Sequence, residues 1–229
     1  MSIAENVEQI RERIARACEK SGRPAESVTL VAVSKTFDAQ AIREAASCGL
    51  TEFGENFVQE FRDKRTELDA LKLNWHFIGH LQRNKVKDVV GSVAIIEAVD
   101  SLRLAEEISK RSQSLGCVTD VLLEVNTTGE QSKFGAKPEE VIELAGKFST
   151  LEGIRLQGLM TIGLFGPTPD ASRPAFALLR KMRDDLASNG VTLPHLSMGM
   201  SGDYEAGIAE GSTIVRIGTA IFGKRVYAN

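Results

Sequence analysis

Lys35 ends the run Val31-Ala32-Val33-Ser34-Lys35-Thr36, where consecutive apolar residues suit a strand covered on both faces. Poor solvation at such a strand end disfavours the ammonium form. A neutral amine is a nucleophile, and its matching electrophile is an aldehyde or ketone, giving a Schiff base. On this stretch alone, a solvated loop-edge lysine is the more economical description. Two later stretches offer a partner chemistry. Met198-Gly199-Met200-Ser201-Gly202-Asp203 places small residues, a hydroxyl and a carboxylate where a helix begins, and free amides there suit an anion. Ile217-Gly218-Thr219-Ala220 adds another glycine amide and hydroxyl. Read alone, Ser201 and Asp203 are helix caps; read together, the two loops make a phosphate cup an equal reading. Arg216 sits within Thr213-Ile214-Val215-Arg216-Ile217-Gly218, an interior strand by pattern. A buried guanidinium needs an acceptor, either a structural carboxylate such as Glu124 or a ligand atom such as a heterocyclic nitrogen.

Other polar groups are less specific. Glu124 and Asn126 share one strand face, as do Arg155 and Gln157, which fits a satisfied core network or a polar site. His76, His80 and His195 have no metal-ligand spacing, and His76 reads as a hydrogen-bonded core residue. Lys133 reads as a loop lysine over the same region. Cys18, Cys48 and Cys117 are scattered, which excludes a zinc motif or a disulfide framework and suits a reduced, cytoplasmic protein. A net charge of -3 gives no electrostatic case for nucleic acid. No charge-free apolar run approaches the roughly 20 residues of a membrane span, and no secretory leader is evident at the N-terminus.

The elements that must position these residues follow a strict rhythm. Ser2 and Glu5 form a capping box before a helix with Ile3, Val7, Ile10, Ile14 and Cys18 on one stripe, which Gly22 and Pro24 close. Strands are then expected at 29–34, 52–56, 74–79, 93–99, 118–126, 155–160, 193–198 and 213–218. Helices are expected between them, including short ones at 84–90 and 203–209 and a longer one at 172–188 after a Gly/Pro-rich loop at 163–169. Eight alternating units in 229 residues are what a closed (β/α)8 TIM barrel requires. An open doubly wound sheet is the alternative, but its usual glycine-rich first turn is absent here, where Ser34-Lys35-Thr36 stands. The expectation is one domain over 1–229, with 1–22 as an extra N-terminal helix packed on the barrel.

In such a barrel the carboxyl ends of all strands face one crater, and the loops after strands seven and eight are the usual phosphate position. A Schiff-base lysine, a phosphate cup and an arginine able to meet a ring nitrogen together describe pyridoxal 5′-phosphate. The chain resembles the YggS/PROSC family of pyridoxal phosphate homeostasis proteins. The resemblance is carried by Ala32-Val33-Ser34-Lys35-Thr36, by Phe53-Gly54-Glu55-Asn56 with Gln59-Glu60, and by the run from His76 to Lys85. It continues in Val125-Asn126 with Lys133 and Gly135, in Gly158-Leu159-Met160, in Ser197 to Ser201 with Asp203, and in Arg216 to Gly223. It implies the barrel of alanine racemases, a fold type III pyridoxal phosphate protein, with Lys35 carrying the cofactor. It further implies Arg216 at the pyridine nitrogen, Ser201, Gly202, Gly218 and Thr219 at the phosphate, and Asn56 and Met198 lining the cofactor.

The resemblance also implies a role in holding and releasing the cofactor, with effects on amino-acid and keto-acid balance, rather than turnover. The second β domain of racemases is not expected here, and neither tyrosine, Tyr204 or Tyr227, is an evident second base. Arginine stays charged and donates, so it favours an unprotonated pyridine nitrogen, a weaker electron sink. A weak amino-acid racemase is the alternative, and a class I aldolase a third reading. The expected partners are the cofactor and pyridoxal phosphate-dependent apoenzymes, and a monomer is the default.

Overall fold

The computed structural model describes residues 1–164 and 168–223. Helix α1 (Ile3–Lys20) begins at the Ser2–Glu5 capping box and buries Val7, Ile10, Ile14 and Cys18. Each valine or isoleucine so buried contributes about 1.5–3 kcal/mol. The barrel follows as β1 (Thr29–Val33), α2 (Ala39–Ser47), β2 (Glu52–Glu55), α3 (Val58–Glu67) and β3 (Asn74–Phe77). It continues as β4 (Ile95–Val99), α4 (Leu102–Ser114), β5 (Thr119–Glu124), α5 (Val141–Ser149), β6 (Ile154–Met160) and α6 (Arg173–Ser188). It closes with β7 (His195–Met200), α7 (Tyr204–Ala209), β8 (Ile214–Ile217) and α8 (Thr219–Phe222). The strands run β1 to β8 in chain order, all parallel, and β8 pairs β1 with Val31 opposite Arg216.

Two expectations are corrected in detail. The segment expected as a helix over 84–90 is a 3-10 stretch, Arg83–Asp88, whose lysines and arginine present no apolar stripe to hold a longer α-helix. Strand five ends at Glu124, because Asn126 turns its side chain into the following loop, donating to the Glu130 carbonyl at 2.9 Å and accepting the Gly129 amide at 3.0 Å. Part of the Gly/Pro-rich loop, 165–167, lies outside the described residues.

Strand alternation sorts the core into layers. Val31, Ile95, Ala98, Leu122, Met160 and Ile214 come from five different strands and meet inside the closed barrel. Their neighbours Ala32, Ile96, Val121, Leu123, Leu159 and Val215 pack outward against the helices. The parity fixes which side chains reach the crater: from β1 it is the series 31, 33, 35, and from β8 the series 214, 216, 218.

Candidate functional site

Lys35 follows β1 on the interior series and is half-buried. Its two neighbours are fixed from behind. Ser34 is fully buried and donates through its hydroxyl to Glu55 at 2.7 Å. Lys64 of α3 donates to the Ser34 carbonyl at 2.9 Å, to Glu55 at 2.8 Å and to Glu60 at 2.9 Å. Glu60 in turn accepts the Thr36 amide at 2.8 Å. Thr36 has φ 69°, a left-handed conformation a β-branched residue adopts only when its surroundings impose it. Burial pushes the Glu55 carboxyl above its ordinary pKa against the pull of Lys64. Burial also pushes Glu60 up, but the Thr36 amide and Lys64 outweigh it and hold it low. Sequence reasoning missed Lys64, since nothing in a charged helix marks the one lysine that turns inward.

The phosphate-cup loops meet at one atom. The Ser201 hydroxyl accepts the Gly218 amide at 3.2 Å and the Ala220 amide at 3.3 Å. Gly218 lies against β1, where an added Cβ would sit 3.2 Å from the Val33 carbonyl. Gly202 and Thr219 are exposed at the same rim. Asp203 is occupied inside its own loop, accepting the Met200 amide at 2.7 Å and the Ser172 hydroxyl at 2.6 Å. Met198 departs from its expected place. Ser197 faces the interior, so Met198 and Leu196 point outward, into the apolar layer with Phe176 and Leu179. Asn56 sits on the interior series of β2, and its carbonyl lies so close to Gly79 that a Cβ there would approach within 2.3 Å.

Arg216 is buried, and its acceptors are internal. It donates to the Ser197 hydroxyl and, at 2.8 Å, to the Thr161 carbonyl, with the Glu97 carboxylate 3.8 Å away. The suggested partner Glu124 is not among these contacts; it acts on Arg216 only through space. Glu97 accepts from Ser197 with one oxygen and contacts His76 Nδ1 at 2.6 Å with the other. His76 Nε2 reaches Glu52 at 3.1 Å. Burial alone lowers the His76 pKa, but its two carboxylates win and raise it to about 9, so it is an imidazolium at neutral pH. Burial pushes Glu97 up, while His76, Arg216 and Ser197 hold it below its ordinary value. This confirms His76 as a core residue and adds Glu97, a carboxylate inside an apolar strand. Two of the five guanidinium N–H groups have acceptors among the described residues, so Arg216 retains donors for an acceptor such as a ring nitrogen.

Other candidates lie elsewhere. Lys133 donates to Glu130 at 2.7 Å and to the Gly163 carbonyl at 2.9 Å, strapping the loops after β5 and β6 together. Tyr204 is buried beneath α1, with the Arg13 guanidinium 5.2 Å over its ring, and does not face the crater. Tyr227 lies outside the described residues. Arg155 pairs with Asp120 near the amino ends of β6 and β5, away from the crater. A cavity of about 360 Å³ beside the mouth is lined by Asn56, Arg62, His80, Gln82, Lys85 and Asp88, among others; of the crater residues expected to bind cofactor it includes Asn56 alone. Among the described residues no cluster of His, Cys, Asp or Glu is arranged to hold a metal ion, and no helix is long and apolar enough to cross a membrane.

A closed parallel barrel with a lysine after β1 and a serine-bridged loop pair after β7 and β8 matches the family model of the alanine racemase N-terminal domain over residues 3–226. Curated relatives match over nearly the whole length. One is the pyridoxal phosphate homeostasis protein of Aquifex aeolicus, 47% identical, covering 99% of this chain and 100% of that one. Another is the protein of the same name from Pseudomonas aeruginosa, 44% identical, covering 99% and 97%. The chain belongs to the family of pyridoxal phosphate homeostasis proteins. Among solved structures, PipY of Synechococcus elongatus with pyridoxal phosphate bound is 36% identical with TM-score 0.84, covering 97% of this chain and 100% of that one. An alanine racemase of Clostridium difficile shares the fold at TM-score 0.77 and 18% identity, and this chain spans 57% of it.

Proposed function

We propose that this chain binds pyridoxal 5′-phosphate in the barrel mouth and serves intracellular homeostasis of that cofactor by holding and releasing it. The carrying observation is the juxtaposition of Lys35 with the Ser201–Gly218–Ala220 junction on neighbouring strands. When bound, the cofactor supplies an aldehyde for an amine and a dianionic phosphate for hydrogen-bond donors. Lys35 holds the aldehyde as a Schiff base, from a backbone fixed on both sides by Lys64 and Glu60. Ser201, Gly202, Gly218 and Thr219 hold the phosphate through hydroxyls and main-chain amides. Arg216 offers its remaining donors to the pyridine nitrogen, Asn56 lines the ring, and Met198 contributes main chain only.

The same residues favour carrying over turnover. A buried arginine fixed by Glu97, Ser197 and Thr161 keeps its charge and donates, which suits an unprotonated ring nitrogen and weak carbanion chemistry. Tyr204 is packed away from the crater and supplies no second base. The recipients are pyridoxal phosphate-dependent apoenzymes, and the protein acts as a cytoplasmic monomer with its cysteines reduced, as the free thiols of Cys18, Cys48 and Cys117 allow. The test is absorbance of the protein after addition of the cofactor, followed by borohydride reduction and peptide mass mapping. The expected result is a bound chromophore fixed at Lys35, absent in Lys35→Ala. A label on another lysine, or none, overturns the site. Rapid exchange of an amino-acid α-proton for solvent deuterium overturns the carrier reading in favour of a racemase.

A further inference from the structure

Glu124 is a crater-facing carboxylate to which the cofactor reading assigns no role. Residue 124 is only 4% exposed, and among the described residues no donor reaches its side chain. Its direction is fixed by parity. Leu123 packs outward and Leu122 inward, so Glu124 points into the barrel mouth. The neighbouring strand brings a second carboxylate beside it. β4 and β5 pair with Val99 opposite Leu123, so Asp100 and Glu124 are the next residues on adjacent strands, and the Asp100 charge acts on Glu124. Ala98, two residues before Asp100, is in the same interior cluster as Leu122.

His80 approaches Asp100 at 3.6 Å from the solvent side and stacks on Phe134. Arg216 donates to Ser197 and Thr161 and acts on Glu124 only through space, and Lys133 donates to Glu130 and Gly163. Burial first, and the Asp100 charge second, push the Glu124 carboxyl up to about 7, with Arg216 opposing. A carboxyl near that value exchanges its proton readily at neutral pH. Two adjacent carboxylates in a partly dry crater call for a compact cation with several donors, and a primary ammonium has three.

We propose that Asp100 and Glu124 form a subsite for the ammonium group of an incoming primary amine, such as an amino acid, and that Glu124 takes its proton. The step balances: an ammonium and a carboxylate give a neutral amine and a carboxylic acid, with no redox partner. This rests on the reading of Lys35 as the cofactor lysine, because an amine deprotonated in the same crater competes with Lys35 for the aldehyde. Amine supply then governs release.

Two measurements separate this inference from the cofactor reading. First, the unloaded protein is titrated with ethylamine hydrochloride at pH 7 by calorimetry. Saturable binding is expected, weakened at least tenfold in Glu124→Gln and in Asp100→Asn. Second, the cofactor-loaded protein is challenged with ethylamine and with hydroxylamine, which is already neutral at pH 7. Ethylamine should release cofactor at least tenfold more slowly from either variant, with hydroxylamine release within twofold of the parent. Ethylamine binding and release unchanged in both variants would overturn the subsite while leaving the cofactor site intact. Loss of the Lys35 label with ethylamine binding preserved would overturn the cofactor reading instead. The two variants are near-isosteric, and equal melting temperatures show that the comparison is between folded proteins.

Discussion

Lys64→Met is the sharpest perturbation of the lysine platform. The Lys64 side chain is 10% exposed and its ammonium makes three short bonds, at 2.8 to 2.9 Å, to Glu55, Glu60 and the Ser34 carbonyl. Methionine fills the volume but leaves Glu55, whose side chain is fully buried, with the Ser34 hydroxyl as its only donor among the described residues. Removing one partner of a buried pair costs about 3–5 kcal/mol, mostly because the remaining charge is uncompensated. The assay is urea unfolding with constant slope, comparing the parent, Lys64→Met, and the double variant Lys64→Met/Glu55→Gln. The double variant should regain more than half of the loss, since it removes the stranded charge. The penalty also has a pH signature. Glu55 already has a raised folded-state pKa, and losing Lys64 raises it further. The variant's deficit should therefore be small below the unfolded value of about 4.3 and grow as pH rises above it. A loss under 1 kcal/mol at pH 7, or a double variant no better than the single, would refute the account.

Arg216→Ala should weaken cofactor retention during gel filtration more than tenfold, while borohydride still labels Lys35 in excess cofactor; unchanged retention would mean that the guanidinium serves the core alone. His76 has a folded pKa of about 9, above its unfolded value of about 6.5. Its contribution should be complete below about pH 6.5 and be lost as pH rises through about 9. Urea midpoints from pH 6 to 10 should show a fall that His76→Gln lacks. Gly79→Ala places a Cβ 2.3 Å from the Asn56 carbonyl. A cost of about 1–3 kcal/mol is expected, with weaker cofactor binding as Asn56 shifts; a calorimetric melting temperature equal to the parent's would count against it. Saturating cofactor at about 100 times its Kd should raise stability by about 2.7 kcal/mol. Coincident melting curves with and without cofactor would place the ligand outside the folded crater.

The barrel was legible because each strand is a short apolar run bounded by helix caps or turn residues, and eight such units leave few architectures. Lys35, Arg216, Ser201 and Gly218 were legible because reactive or small residues interrupt those runs at their carboxyl ends. Met198 was expected to line the cofactor, and its side chain packs in the outer apolar layer. Adjacent strand residues face opposite ways, so a strand with Ser197 turned inward must turn Met198 outward. Glu124 was the structural partner suggested for Arg216 beside a ligand acceptor, although the strand Ile95–Val99 offers Glu97 on the interior. Choosing between two interior carboxylates requires knowing the relative heights of strands far apart in sequence, and bulges between 96 and 99 and between 197 and 200 shift those heights. Lys64 was invisible for a related reason: its three acceptors come from two other elements and its own helix.

The interior string of Glu52, His76, Glu97 and Arg216 has a consequence for how this chain tolerates change. Two carboxylates, one imidazolium and one guanidinium sum to zero, so this string is an internal salt without net charge. A neutral replacement at the buried His76, Glu97 or Arg216 leaves an odd charge in a space that cannot dilute it. Substitutions that compensate in pairs restore the balance at lower cost. The string joins positions on β2, β3, β4 and β8, although they lie far apart in the chain. The floor of the barrel and the arginine at its mouth are thereby linked in one chain of charged contacts.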